Sequence, residues 1–307
     1  MTDLFPPTDA LVTIGHGTVD RLQDLPEFLT NIRRGHAPPP ELVAEVRRRY
    51  EAIGGRSPLN DICRTLTKKL GEQLGVRTAY AGRMWDPKPG QVLRELLEKG
   101  ITRVVVLPLA QHSAPLYVES VRAAANAIAE SGGPALEVRG PGHWGQEPLL
   151  TAAFAKSLLA AIEKVPAPER ARTRVLFSAH SLPLASLRGG DPYEREVRAS
   201  AAAVARELGD RMLPHELIFQ SQGMSGGEWL GPDVKASLEK LANEGVKRVL
   251  FAPIGFLADH VEVLYDLDIE AATWATQLGL VYSRTESLNA SAALVDALEA
   301  VVRAVVS

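Results

Sequence analysis

The sequence holds a single cysteine, Cys63, in 307 residues. One thiol makes neither an intrachain disulfide nor a cysteine-ligated zinc or iron–sulfur site within one chain, and its isolation fits a reducing compartment. No run of 18 apolar residues occurs, so nothing reads as a membrane span. The opening stretch MTDLFPPTDA lacks the basic region and long apolar core of a secretory signal. An excess of positive charge is missing too: 34 Lys and Arg stand against 37 Asp and Glu, a net charge of −3. No global field therefore favours nucleic acid, and any anion site has to be a local cluster of arginines. GDPYERE, GGRSPL and GHGT contain glycine, but none gives G-x-G-x-x-G opening a helix after a strand, so no nucleotide is expected. There is no G-x-S-x-G nucleophile elbow. These absences point to a cytoplasmic protein without a transmembrane segment, nucleic acid or nucleotide.

What is present is an α/β pattern. Short apolar runs rich in β-branched residues, at residues 10–15, 78–82, 103–109 and 136–139, predict four buried strands. A second set is predicted at residues 174–178, 216–220, 248–254 and 280–283. Helical periodicity lies between them, for instance at 41–53, 59–74, 118–130 and 195–208, and again at 291–306. This alternation is the mark of mostly parallel sheets flanked by helices. The stretch VPAPER, residues 165–170, reads as an exposed joint, giving halves 1–165 and 166–307, with the option that the last helix packs back on the first half.

The halves are similar to each other. EKGITRVVVLPLA at 98–110 lies over NEGVKRVLFAPIG at 243–255, a shift of 145 residues that pairs Gly100 with Gly245, Arg103 with Arg248 and Pro108 with Pro253. LVTIGHGT at 11–18 lies over RVLFSAHS at 174–181, setting His16 against His180 after a small slip in register. Either the chain is a repeat, or all strand–helix units share such a pattern. A repeat predicts two halves facing each other across a cleft, with a histidine at the carboxyl end of each first strand, where ligands bind in open α/β sheets. The first half carries about 19 extra residues, including IRRGHAPPPELVAEVRRRYEAIGG, read as a loop, a helix and a turn over the cleft mouth.

Two constellations carry candidate chemistry. In DHVEVLYDLDIE, Glu262, Asp266 and Glu270 stand at i, i+4 and i+8, one face of any helix there. Like charges at that spacing repel, so the stripe is either a solvated acidic face or a place where a cation or proton is held. It follows the strand-like RVLFAPIGF in the half that carries His180 in FSAHSLP. A histidine and a carboxylate at one sheet edge make an acid–base pair or a divalent-metal site. His260 is expected to be structural, orienting its neighbours, and His112 to line the same cleft. The second constellation is arginine: Arg33–Arg34 and Arg47–Arg48–Arg49 are either a solvated helix surface or clamps for substrate carboxylates.

FSAHSLP, then GDPYERE, FQSQGMSGGEWLGPDV and PIGFLADHVEVLYDLDIE resemble the successive C-terminal motifs of ferrochelatases, and IRRGHAPPPELVAEVRRRYEAIGGRSPL resembles their N-terminal half. The resemblance covers nearly the whole chain and is strongest to the short form of Gram-positive bacteria. It implies a chelatase-like fold: two Rossmann-like parallel-sheet halves, related by a pseudo-twofold repeat, around a porphyrin cleft. It also implies a lyase-class enzyme of haem biosynthesis that inserts Fe2+, its substrate, into a porphyrin with loss of two protons, without an iron–sulfur cluster. By position, His180 and Glu262 would be the catalytic pair on the metal side. Glu262, Asp266 and Glu270 would form an acidic ladder for cations. Arg33, Arg34, Arg49 and Ser57 would line the porphyrin or hold its propionates, with Tyr117 facing the same site. His16 stands where similar proteins carry tyrosine, and its imidazole suits axial ligation of the product iron. GHG is also similar to the first-strand end of small cobalt and sirohydrochlorin chelatases. A chelatase for another metal or tetrapyrrole, or a non-catalytic tetrapyrrole-binding protein, is the alternative. The charged, proline-rich lip NIRRGHAPPPELVAEV favours coproporphyrin III over protoporphyrin IX. Transient contact with neighbouring haem-pathway enzymes is the remaining partner expectation.

Overall fold

A computed structural model describes residues 5–223 and 227–307. Residues 224–226 of the motif FQSQGMSGGEWLGPDV lie outside the described residues. The chain divides into two compact units, one running to Leu149 and completed by Asn289–Ser307, the other Leu150–Leu288.

The first unit opens with β1 (Asp9–Gly15), buried at every position. A strand buried on both faces reads as an unbroken apolar run rather than an alternating one, as DALVTIG does. It is followed by α1 (Leu25–Ile32), α2 (Pro40–Ala52), α3 (Leu59–Leu74), β2 (Thr78–Gly82), α4 (Pro89–Leu97), β3 (Arg103–Pro108), α5 (Ala114–Glu130) and β4 (Glu137–Arg139). Pro26, Pro40, Pro89 and Pro115 stand in the first turns of α1, α2, α4 and α5, where a missing N–H costs nothing. The sheet is parallel, in the order β2-β1-β3-β4. Ala10, Val12 and Ile14 pack with Leu93, Leu96, Val118 and Val121 of α4 and α5. On the other face the hydroxyls of Thr13 and of Thr67 in α3 hydrogen-bond to each other.

The second unit contains α6 (Pro148–Glu163), β5 (Thr173–His180), α7 (Leu184–Leu187), α8 (Tyr193–Leu208), β6 (His215–Gln220), α9 (Val234–Asn243), β7 (Arg248–Ala252), α10 (Val261–Leu264), α11 (Ala272–Gln277) and β8 (Val281–Arg284). The segment Asp266–Ala271 between α10 and α11 is a π-helix. This sheet is also parallel, in the order β6-β5-β7-β8. Leu176, Ile218, Val249 and Phe251 meet α9, while Val175, Phe177 and Leu250 meet α6 and α8. The chain then returns to the first unit with α12 (Ala292–Val306), begun by Ser291, whose side chain accepts from the Leu294 N–H. Helix α12 packs on α3 and β3.

All eight expected strands form, and the two sheets share one strand order. Their registers refine the repeat. Asp9 pairs with Arg103 and Thr173 with Arg248, so the central strands correspond at a shift of 164 residues while β3 and β7 correspond at 145. At that shift His16 falls on His180 directly, and the slip disappears. The boundary between units differs from the expected 165/166. Ala155, Leu158 and Ile162 of α6 are buried against Val175 and Phe177, so α6 belongs to the second unit. VPAPER is no joint: Val165 is buried and Ala167–Arg172 form a 3-10 helix leading into β5.

Candidate functional site

In the second unit β5 runs two residues beyond its expected end, and His180 is its last residue. The backbone carbonyl of His180 accepts from the Tyr193 hydroxyl at 2.8 Å, and Asp191 Oδ1 accepts from the Tyr193 N–H at 2.9 Å, so GDPY braces the strand end. Both ring nitrogens of His180 face acceptors: Nδ1 donates to the Ser181 carbonyl, and Nε2 donates to Glu262 Oε1 at 3.2 Å. A ring with an acceptor at each nitrogen is arranged as an imidazolium. Burial opposes that charge, but the ionised Glu262, its hydrogen bond, the Ser181 carbonyl and Asp266 outweigh burial and raise the imidazole to about 9. Burial likewise opposes the Glu262 carboxylate. The His180 charge and hydrogen bonds from His180 and His260 nevertheless hold it well below the usual carboxylate range.

Glu262 is fixed from three sides. His260 Nε2 lies 3.3 Å from Oε2, and the His260 ring packs against Phe256. The end of β6 holds the backbone: Gln220 Nε2 donates to the Glu262 carbonyl at 2.7 Å. The next residue, Ser221, sits in the left-handed region at φ 63°, which a non-glycine residue adopts at a cost, and donates through Oγ to Asp266 Oδ2. Gln220 and Ser221 escaped the sequence reading. The signal was available, because they close FQSQ at the same sheet edge as His180.

The acidic stripe is not the face of a continuous α-helix. Helix α10 ends at Leu264, and the π-turn that follows has the Glu270 N–H donating to the Tyr265 carbonyl, five residues back. The extra residue breaks the i, i+4, i+8 register. Asp266 is buried on Ser221, Glu270 is half-buried, and Asp268 turns to Arg284, which also reaches Asp259. Among the described residues no group of three or more His, Cys, Asp or Glu is placed to hold one metal ion jointly.

In the first unit the corresponding strand end presents His16, which is exposed. Its Nδ1 lies 3.5 Å from the Tyr117 hydroxyl, and its ring meets the edge of Phe28, which in turn meets Trp85. The chain after β2 is tied to the same place: the Arg83 and Met84 N–H groups donate to the Gly15 and His16 carbonyls at 2.9 and 2.8 Å. Gly82 is required here, because a Cβ on it would stand 2.3 Å from the Trp85 carbonyl oxygen.

The remaining predicted residues part company. Arg34 is exposed on a left-handed turn at φ 56°, and Arg33 Nε is buried without a hydrogen-bond partner, a donor left unanswered. Arg49 is instead held by Glu45, one helical turn earlier in α2, at 2.8 Å. Hydrogen bonds from Arg48 and Arg49 lower that carboxyl against its partial burial. Ser57 is buried, its Oγ accepting from the Leu59 N–H at 3.4 Å at the entry to α3. His112 is buried and stays neutral, pushed down to about 3 by burial and then by His143.

Two parallel four-stranded sheets of identical order make the two-halved α/β architecture of the chelatase fold. The fold matches that of SirB from Bacillus subtilis with Fe3+, at a TM-score of 0.60 and 14% identity over 97% of this chain and 96% of that one. The sequence matches the Ferrochelatase family over residues 8–306. It is 36% identical over 299 residues to the ferrochelatase of Herpetosiphon aurantiacus, covering 95% of this chain and 97% of that protein. It is 34% identical over 304 residues to the coproporphyrin III ferrochelatase of Geobacillus kaustophilus, covering 96% and 95%. The chain belongs to the ferrochelatase family. No helix among the described residues is long and apolar enough to cross a membrane.

Proposed function

We propose that this chain is a lyase-class ferrochelatase of haem biosynthesis, inserting Fe2+ into coproporphyrin III in preference to protoporphyrin IX with release of two protons. The observation that carries the reading is the His180–Glu262 pair, 3.2 Å apart at the carboxyl edge of β5. A free-base porphyrin sheds two pyrrole N–H protons as a divalent metal enters, so insertion needs a nearby acceptor. An imidazolium beside an ionised carboxylate cannot accept. A divalent cation arriving near Glu262 repels the imidazolium, which then releases its proton to water and becomes the neutral base that takes one pyrrole proton, passes it to water and takes the second. Glu262 stays ionised throughout and balances the incoming charge. Asp266 and Glu270 add negative potential on the same segment, acting in sequence rather than as one chelate.

The substrate half of the reading rests on the first unit. The unanswered Arg33 Nε and the exposed Arg34 suit propionates, and the charged lip suits a tetracarboxylate. His16 offers an imidazole for the iron of the product. The experiment is anaerobic insertion of Fe2+ into coproporphyrin III and protoporphyrin IX in parallel, repeated with Co2+ and Zn2+. Faster turnover of coproporphyrin with iron is expected. Reverse porphyrin preference would overturn the substrate assignment, Co2+ preference the metal, and no turnover with any metal the enzyme itself. The localisation that goes with this reading is the cytoplasm.

A further inference from the structure

Four segments of the first unit converge beside His16: the end of β1, the end of α1, the residues after β2 and the start of α5. Asn31 of α1 donates from Nδ2 to the Met84 carbonyl at 3.2 Å, and Phe28 of α1 lies between the rings of His16 and Trp85. This links the segment carrying Arg33 to the one carrying Arg83. Arg83 is the unusual member. Its backbone N–H is used by the Gly15 carbonyl, but its half-buried guanidinium meets no acid among the described residues. It lies over the Tyr117 ring, with Cζ 5.3 Å from the centroid, and among the described residues its side chain forms no hydrogen bond or ion pair. Arg103, Arg248 and Arg284 are also half-buried, but each is committed to a carboxylate: Arg103 to Asp9, Arg248 to Glu169, Arg284 to Asp268 and Asp259. An aromatic face orients a guanidinium and leaves its in-plane N–H groups free to donate. Those donors match the planar geometry of a carboxylate.

We propose that Arg83 is a carboxylate-binding residue for the porphyrin substrate, held over the Tyr117 ring at the strand end that carries His16. The inference rests on the function proposed above and adds to it a residue that no local motif singles out. Arg83 touches a peripheral carboxylate and leaves the proton-accepting pair of the second unit alone. Its loss therefore changes porphyrin affinity and not the metal step.

The test is a titration of metal-free coproporphyrin III into the intact protein, read by quenching of tryptophan fluorescence, for wild type, Arg83→Gln and Arg83→Lys, followed by insertion kinetics. Arg83→Gln is expected to weaken porphyrin binding about tenfold and to raise its KM similarly. The KM for Fe2+ and kcat stay within about twofold. Arg83→Lys, which keeps the charge and loses the fork, falls between. Unchanged coproporphyrin affinity in Arg83→Gln overturns the inference while leaving the proposed function standing. So does a loss accompanied by an equal rise in the KM for Fe2+, which would mark damage to the fold. A wild-type protein that binds no porphyrin overturns the proposed function itself, and this inference with it.

Discussion

At the end of β1, His16 is exposed and shares its Nδ1 with a phenol 3.5 Å away; at the register-equivalent end of β5, His180 has a hydrogen-bond acceptor at each ring nitrogen. The strands, their order and the position of the histidine are the same, so the sheet alone does not decide what the imidazole does. The surroundings decide it. In the second unit the chain beyond β7 supplies Glu262 and the chain beyond β6 supplies Gln220 and Ser221, so three strand ends converge on one charge pair. In the first unit the chain beyond β2 supplies Arg83 and Trp85, and α1 supplies Phe28, making an aromatic and cationic wall. Under the proposed function the first edge would meet a flat, anionic ring and the second protons and cations.

The largest break in this comparison should come from His180→Ala. Removing a positioned base typically costs 10²- to 10⁴-fold, so turnover should fall by about that range with porphyrin affinity kept. Fluorescence titration beside initial rates checks it, and an equal loss in the His16→Ala protein would mean that the two edges are not specialised. Next comes pH. The accepting imidazole must be neutral, and His180 holds its proton up to about 9, so kcat/KM at limiting Fe2+ should rise with pH toward that value. In Glu262→Gln the charge that raises the imidazole is gone while burial still lowers it. The rise should then move to lower pH as the maximal rate falls. The same pair has an opposite effect on stability. A histidine raised in the folded state stabilises it fully below its unfolded value near 6.5, and that contribution is lost as pH climbs through about 9.

Smaller effects test the packing behind each edge. A Cβ at Gly255 would stand 2.5 Å from the Ala179 Cα, next to His180, just as one at Gly82 would strike the Trp85 carbonyl. Each Gly→Ala change should cost about 1–3 kcal/mol, read as a melting point several degrees lower. Gly255→Ala should slow insertion, and Gly82→Ala should weaken porphyrin binding. The smallest effect expected is His16→Tyr. Turnover should stay within about fivefold, because no proton transfer is assigned to this residue, while the absorption spectrum of bound metalloporphyrin changes with the ligand.

The strands were legible because parallel strands covered on both faces are written as continuous apolar runs, VVVLP and VLF among them. His180 and Glu262 were legible because each closes or follows such a run. The unit boundary was not, since nothing in α6 tells which of two sheets its Leu158 and Ile162 will meet. The π-turn was hidden for a similar reason: one extra residue leaves the apolar pattern of VLYDLDIEAA almost intact while turning Asp268 toward Arg284. Arg49 was legible in principle, because Glu45 stands four residues before it in the same helix, a spacing that pairs them. Arg83 had no local signal. Its meaning depends on Tyr117, 34 residues away and on another element.

Helix α12 carries a consequence for how the chain is made. It buries Leu294, Leu298, Val301 and Val302 in a unit whose other elements end at Leu149, with the whole second unit threaded in between. A chain emerging from the ribosome therefore finishes Leu150–Leu288 before α12 is available to pack on α3 and β3 of the earlier unit. Ribosome-bound chains halted before Ala292 should show a protease-resistant second unit and a first unit still open to cleavage.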